Sequence, residues 1–331
     1  MTELSGTRVL VTGANGFIGS HLTERLLAEG AQVRAFCEYN SNGSLGWLDE
    51  LPREQVSRLD VKLGDIRDSG FVRDAVSDVD IVFHLAALIA IPYSYQAPAS
   101  FVETNVTGTL NVLEAVRVNP HVRVINTSTS EVYGTPESVP IEEAHRLRGQ
   151  SPYAATKIAA DQLCEAYART FSTDVVTLRP FNTFGPRQSA RAIIPTILGQ
   201  LLAGASTVRL GNLAPRRDLT FVTDTVDGYV RMATAGLPRG ETVHLGTGQA
   251  VSISDLFRLC CEVTGTDAEV VSDAERIRPT ASEVQVLLSD PSRAKDLLKW
   301  QADTTLREGL AETARWLKPR TDADRASRYQ R

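Results

Sequence analysis

The stretch "VLVTGANGFIGSHL" (residues 9–22) constrains the fold more than any other part of the chain. An apolar run ends in a glycine-rich turn and passes directly into an amphipathic helix. Gly13 permits a tight turn, Gly16 lets backbone approach a pyrophosphate, and Gly19 lets the helix pack closely on the strand. The helix N-terminus then offers phosphate its free N–H groups and a favourable dipole. With Asn15, Phe17 and Ile18, these glycines make a candidate dinucleotide cradle. Its spacing is G-x-x-G-x-x-G, not the simpler G-x-G-x-x-G. Turn sterics alone also collect glycine, but the position between an N-terminal strand and a helix favours the dinucleotide reading.

The pattern that begins there repeats. "RVLVT" (8–12), "QVRAF" (32–36), "RLDVKL" (58–63), "IVFHL" (81–85), "RVINT" (123–127) and "DVVTLR" (174–179) read as buried strands. Helical stretches near 17–29, 70–77, 99–118 and 153–171 separate them. Such alternation predicts an α/β fold with a doubly wound parallel (Rossmann) sheet. After Pro180 the pattern loosens, and "VHLGTG" (243–248) reads as a strand returning to the sheet before a helix from about Ser254. The expected organisation is a dinucleotide-binding domain over 1–185 with a return segment at about 218–249. Residues 186–217 and 250–318 form a smaller mixed α/β C-terminal substrate lobe, and 319–331 a polar tail.

Composition narrows the function. A net charge of −5 without a Lys/Arg-rich run argues against nucleic acid as a partner. No apolar run reaches membrane-spanning length, and the N-terminus shows no basic, apolar export signal, so a cytoplasmic protein away from membranes is expected. Cys37, Cys164, Cys260 and Cys261 have neither disulfide-framework nor metal-ligand spacing, and no metal site is expected.

In "SPYAATK", Tyr153 and Lys157 stand one helical turn apart. A nearby ammonium can lower a phenol's pKa and make tyrosine a usable base, although such a pair can also be ordinary helix decoration. Glu38, at the end of the second strand, has two readings. It holds the adenosine ribose hydroxyls and repels a 2′-phosphate, which points to NAD without excluding NADP, or it is a solvated loop acid. Asp65 and Ile66 in "GDIRD" are placed to flank the adenine. His84 reads as a packed strand residue.

Taken together, "TGANGFIGSHL", "GDIRD", "HLAA", "TSTSEVYG", "SPYAATK", "RPFNTFGPRQ" and "RRDLTFVTD" resemble the extended short-chain dehydrogenase/reductases acting on nucleotide sugars, the NAD-dependent epimerase/dehydratase family. "HLAALIAIPYSY", "GQSPYAATKIAAD" and "LGNLAPRRDL" resemble most the 4,6-dehydratases of the legionaminic-acid pathway type. The resemblance implies that Tyr153 takes a proton from the sugar C4 hydroxyl, that Lys157 and the positive charge of the oxidised nicotinamide lower its pKa, and that Thr129 orients the C4 oxygen; Tyr153 and Lys157 would also contact the cofactor, Lys157 through the nicotinamide ribose. Glu131 would remove the C5 proton, while Ser130 stands where glucose-type dehydratases carry a second acid. It also implies cofactor contacts from Leu85, Ala86, Ala87 and Asn105, and substrate contacts from Ser94, Asn182, Arg217 and Arg278, with Arg187 a weaker candidate, since arginines here could equally serve surface ion pairs. The expected substrate is a nucleoside-diphosphate sugar of the N-acetylglucosamine type. "TSEVYG" equally resembles nucleotide-glucuronate decarboxylases, a C4/C5 epimerase stays open, and a non-catalytic dinucleotide sensor is the remote alternative. In the family, helices matching 99–118 and 153–171 form a four-helix dimer interface. A homodimer through Leu110, Leu113 and Leu163 is one reading, and packing of those residues on the sheet is the other.

Overall fold

The computed structural model describes residues 4–321. Seven strands form a parallel sheet: β1 (Arg8–Thr12), β2 (Gln32–Glu38), β3 (Asp60–Gly64), β4 (Ile81–His84), β5 (Arg123–Thr127), β6 (Val175–Pro180) and, later in the chain, Thr242–Leu245. Between the last two lie β7 (Asn182–Phe184), β8 (Thr207–Leu210) and β9 (Arg216–Phe221), so the returning strand is β10. The spatial order is β10-β6-β5-β4-β1-β2-β3. Chain direction across the sheet reverses between β1 and β4, and the crevice at that point opens at the strands' C-terminal ends.

The central strands are apolar on both faces because helices cover both. Phe17–Ala28 and Val222–Thr234 pack on one face, and Ser69–Val76, Gly108–Arg117 and Pro152–Phe171 on the other. The smaller layer combines β7 and β9 with β11 (Ala250–Ser252) and β13 (Val286–Leu287), and β8 with β12 (Glu269–Ser272). Its strands are too short and too mixed in polarity to stand out in the sequence. Within the expected polar tail, Lys318–Arg320 makes a 3-10 turn, with Arg320 stacked on Trp316 and paired with Glu50. Residues 322–331 of that tail lie outside the described residues.

The single helix expected over 99–118 is interrupted. Pro98–Phe101 gives way to a π-helical turn, Val102–Thr107, before Gly108–Arg117 resumes. The wider turn carries Asn105 inward, where its amide accepts from Leu88 N at 2.8 Å and donates to Leu88 O at 2.9 Å and Thr156 Oγ1 at 3.0 Å. Leu113 is buried within the chain, and Leu110 and Leu163 pack half-buried against the same core.

His84 joins this turn to the sheet. Thr109 Oγ1 donates to Asn105 O at 2.7 Å, so it accepts from His84 Nε2 at 3.0 Å. His84 Nδ1 therefore accepts from Thr12 Oγ1 at 2.9 Å. Thr12 Oγ1 in turn accepts from the Leu85 and Ala86 amides, both at 3.1 Å. The chain of bonds fixes one neutral tautomer. Burial pushes His84 and His244 down from 6.5 to about 3 each. Each folded-state value lies below the unfolded one, so the unfolded chain binds more protons across that window. The associated stability is complete above about 6.5 and is lost as pH falls towards about 3. His84→Asn removes one such titration. Its unfolding free energy, followed by urea titration, is expected to fall less steeply than wild type between about pH 6.5 and 5, by about 1.4 kcal/mol per pH unit.

Candidate active site

The glycine loop is built by close approach. Gly13 adopts φ +69°, and a Cβ there would lie 2.9 Å from Ala86 N, while one on Gly19 would lie 2.1 Å from Gly13 O. Gly19 thus packs on the loop itself. Gly16 caps the helix Phe17–Ala28 with extended backbone, no side chain caps it, and its first turn holds no acid. Asn15, Phe17 and Ile18 surround this bare N-terminus, which suits a pyrophosphate. The residues present therefore fit a dinucleotide. Asn15 O also accepts from Trp47 N at 3.2 Å, which brings the turn Gly46–Glu50 over the loop.

Around the crevice, Glu38 is exposed at the end of β2 beside Gly64 of β3. The Asp65 carboxylate is held by Arg67, Nη2 to Oδ2 at 2.5 Å, which keeps it below the usual carboxylate range. Ile66 is buried beneath Gly108. Leu85, Ala86 and Ala87 follow β4 along the glycine loop, and Asn105 braces the backbone just beyond them.

Thr129, Glu131, Tyr153 and Lys157 come together from two elements. Ser151 caps the helix Pro152–Phe171 by accepting from Ala154 N at 3.1 Å, and Pro152 fills the first position. This cap sets Tyr153 in the first turn and Lys157 one turn deeper. Thr129 follows the end of β5; its hydroxyl caps the turn Ser130–Tyr133 through Glu131 N at 3.2 Å and also bonds the Tyr153 phenol. Ser130 is buried.

Without cofactor, the electrostatics of Tyr153 are dominated by its burial. Burial raises the phenol well above its ordinary value, and the Thr129 hydrogen bond lowers it, while the Glu131 and Asp161 charges add to the rise. Lys157 is 4% exposed, and burial lowers its ammonium below 10.5, with Asp161 opposing. Its Nζ donates to Thr127 O at 2.5 Å.

Opposite Tyr153 lies a charge relay from the smaller layer. Arg217 is buried and donates to Glu283 at 3.2 Å, and Arg278 reaches the same carboxylate oxygen at 3.8 Å. Burial lowers the Arg217 guanidinium, with Glu131 opposing and Arg278 adding to the fall. Asn182 Oδ1 is buried without a protein partner among the described residues. Arg187 sits elsewhere: with φ +68° it turns onto the first helix and pairs with Glu24 at 2.5 Å. Ser94 is buried and donates to Ile91 O at 2.7 Å. Residues that sequence reading passed over also belong here. Tyr95 bonds Ser282 at 2.6 Å and Gln150 bonds Ala281 O at 3.0 Å, holding the Arg278–Glu283 segment across the site. No motif marks them, because the pairs form only in three dimensions.

The family model for GDP-mannose 4,6 dehydratase matches residues 10–313. UDP-glucose 4-epimerase of Mycolicibacterium smegmatis is 33% identical to this chain, covering 94% of it and 98% of that protein. dTDP-glucose 4,6-dehydratase of Actinoplanes sp. is 31% identical over the same shares. The structure of a dTDP-glucose 4,6-dehydratase double mutant from Streptomyces venezuelae, with NAD bound, is 30% identical with a TM-score of 0.83, covering 94% of this chain and 97% of that one. The chain belongs to the NAD-dependent epimerase/dehydratase family of short-chain dehydrogenase/reductases. Its relatives are nucleotide-sugar dehydratases, epimerases and decarboxylases at about 30% identity. No helix among the described residues is long and apolar enough to cross a membrane.

The close packing at Gly19 gives a direct check. Gly19→Ala is expected to weaken NAD binding, measured by calorimetry, at least about tenfold, a loss of about 1.4 kcal/mol.

Proposed function

We propose that the protein is an NAD-dependent nucleotide-sugar 4,6-dehydratase, converting a nucleoside-diphosphate hexose to its 4-keto-6-deoxy form. The observation that carries this reading is the Glu131 carboxylate, set close enough to Tyr153 and Arg217 to shift both. NAD, bound at the glycine loop, supplies a hydride acceptor for C4 and a hydride donor for C6. Glu38 supports NAD over NADP, since a carboxylate at the end of β2 repels a 2′-phosphate and no arginine follows it before Ser44.

Tyr153, ionised only when the positive charge of the oxidised cofactor stands beside it, would take the C4 hydroxyl proton while Thr129 holds that oxygen. A 4-keto group acidifies the C5 proton, and Glu131 removes it. The same carboxyl then protonates the departing C6 hydroxyl, since buried Ser130 is no acid, and C5 regains a proton after hydride return to C6, balanced by release of the C4 proton from Tyr153. Arg217, Arg278 and Asn182 hold the sugar-nucleotide pyrophosphate, with planar guanidinium forks matched to phosphate oxygens. Without substrate, Glu283 keeps the two arginines oriented. Arg187 serves by anchoring its loop to the first helix. The exposed Val102, Val118 and Phe171 support pairing of two copies through the helices that bear them; light scattering showing a monomer would count against it.

A C4 epimerase is the second reading, favoured by the 33% identity to UDP-glucose 4-epimerase. Incubation with UDP-, GDP-, dTDP- and CDP-linked glucose and N-acetylglucosamine, followed by mass spectrometry, separates the two. Loss of water supports the dehydratase, and unchanged mass with altered stereochemistry supports the epimerase. With a substrate that loses water, deuterium placed at C4 is expected at C6 of the product, and its appearance in released reduced cofactor would overturn the redox-neutral cycle. Glu131→Gln is expected to slow water loss by about 10²–10⁴-fold while the nicotinamide absorbance shows C4 oxidation proceeding. Tyr153→Phe is expected to block that absorbance change altogether.

A further inference from the structure

Three successive residues after the core of β5 are each held by a different turn of one helix. Thr127 O accepts from Lys157, Ser128 Oγ donates to Asp161 at 2.7 Å, and Thr129 bonds Tyr153. Positions 153, 157 and 161 share one helical face. Asp161, 4% exposed, is the point at which other strands join. Its carboxylate also accepts from Arg179 Nε of β6 at 3.0 Å and from Asn126 Nδ2 of β5 at 3.4 Å. Arg179 continues outward. Its Nη1 donates to the Tyr133 hydroxyl at 2.7 Å, and its guanidinium lies over the Tyr133 ring at 5.3 Å. Tyr133 closes the turn that carries Glu131.

We propose that Asp161 is a positioning residue, which locks the helix bearing Tyr153 and Lys157 to the strand end bearing Thr129 and Glu131 and holds Lys157 as an ammonium against Arg179. The catalytic part of this inference rests on the dehydratase reading; the charge balance among the three residues does not.

The groups that face Lys157 narrow the source of its charge balance. His84 from β4 stays neutral, held near 3. Cys164, on the same helix as Asp161, has its thiol raised by burial. Tyr229 of Val222–Thr234, bonded to Thr127 Oγ1 at 2.8 Å, is raised in the same way. Tyr153 is likewise a neutral phenol in the folded chain. Asp161 is the anion that remains, and Arg179 competes for it.

That competition predicts opposite signs. Asp161→Asn removes the anion and should lower the Lys157 titration midpoint. Arg179→Gln removes the competing cation, leaves the carboxylate to Lys157 and should raise it. The chain has five lysines, so ¹³Cε-lysine NMR resolves each, with Lys157 assigned by its loss in Lys157→Met. The expected shifts are about one pH unit in each direction. Midpoints that move the same way in both variants, or stay put, would overturn the proposal. If Asp161→Asn does not fold, because Arg179 is left buried and unpaired, the rise in Arg179→Gln carries the test. The readout uses neither substrate nor turnover. Failure of the dehydratase reading would show separately, as no loss of water from any of the sugar nucleotides incubated with the wild-type protein.

Discussion

Much of the arrangement turns on keeping a lysine ammonium inside the protein. Lys157 is 4% exposed, and moving its charge out of water into such surroundings costs several kcal/mol unless it is paired and hydrogen-bonded. One hydrogen bond to Thr127 O and one carboxylate a turn away supply that compensation. Both depend on the helix Pro152–Phe171 keeping its register against β5, so the buried charge also fixes where Tyr153 meets Thr129. A substitution that shifts the helix therefore leaves an uncompensated cation, and the reacting hydroxyls lose alignment with it.

The sheet imposes the second constraint, which is steric. At the parting of β1 and β4 the backbone of Gly13 lies so near Ala86 that no side chain fits between them. Thr12, His84 and Thr109 lock the same junction through polar contacts, with each donor matched to one acceptor. Close packing and a single tautomer together hold the loop's free N–H groups in one place. Rigidity here is what a phosphate site on backbone amides requires, because the amides cannot rotate independently to meet a ligand.

The strands of the central sheet were legible because parallel strands buried on both faces write short apolar runs, and the returning strand in "VHLGTG" was among those read, while their spatial order came only from the structure. The glycine loop and the Tyr153–Lys157 pair were legible because local spacing encodes them. What the sequence hid was partnership. His84 looked like packing and is a bridge, since its two threonines lie 72 and 25 residues away. Arg187 read either as a weaker substrate contact or as an ion-pair partner, and the pairing with Glu24 emerges only in three dimensions. The π-helical turn at Val102–Thr107 leaves no mark in a helical pattern, because its cause is the inward pull of Asn105 on Leu88. The burial of Tyr153 was hidden for a similar reason, as it depends on every element packed around the phenol.

Across the site the fixed charges alternate. Arg179, Asp161 and Lys157 run behind Tyr153, while Glu131, Arg217, Glu283 and Arg278 run in front of it. Each interior ion thereby has an opposite neighbour, which limits desolvation cost without neutralising the site. The two series meet at Tyr153, whose phenol is raised chiefly by burial and further by the Glu131 and Asp161 carboxylates. A tyrosine so placed keeps its proton until positive charge arrives nearby. In the proposed reaction that charge belongs to the oxidised cofactor, and Glu131 gains its own task only after C4 has been oxidised. In that proposed reaction the order of steps would follow from the substrate's own chemistry, because only a C4 ketone acidifies the C5 proton that Glu131 would remove.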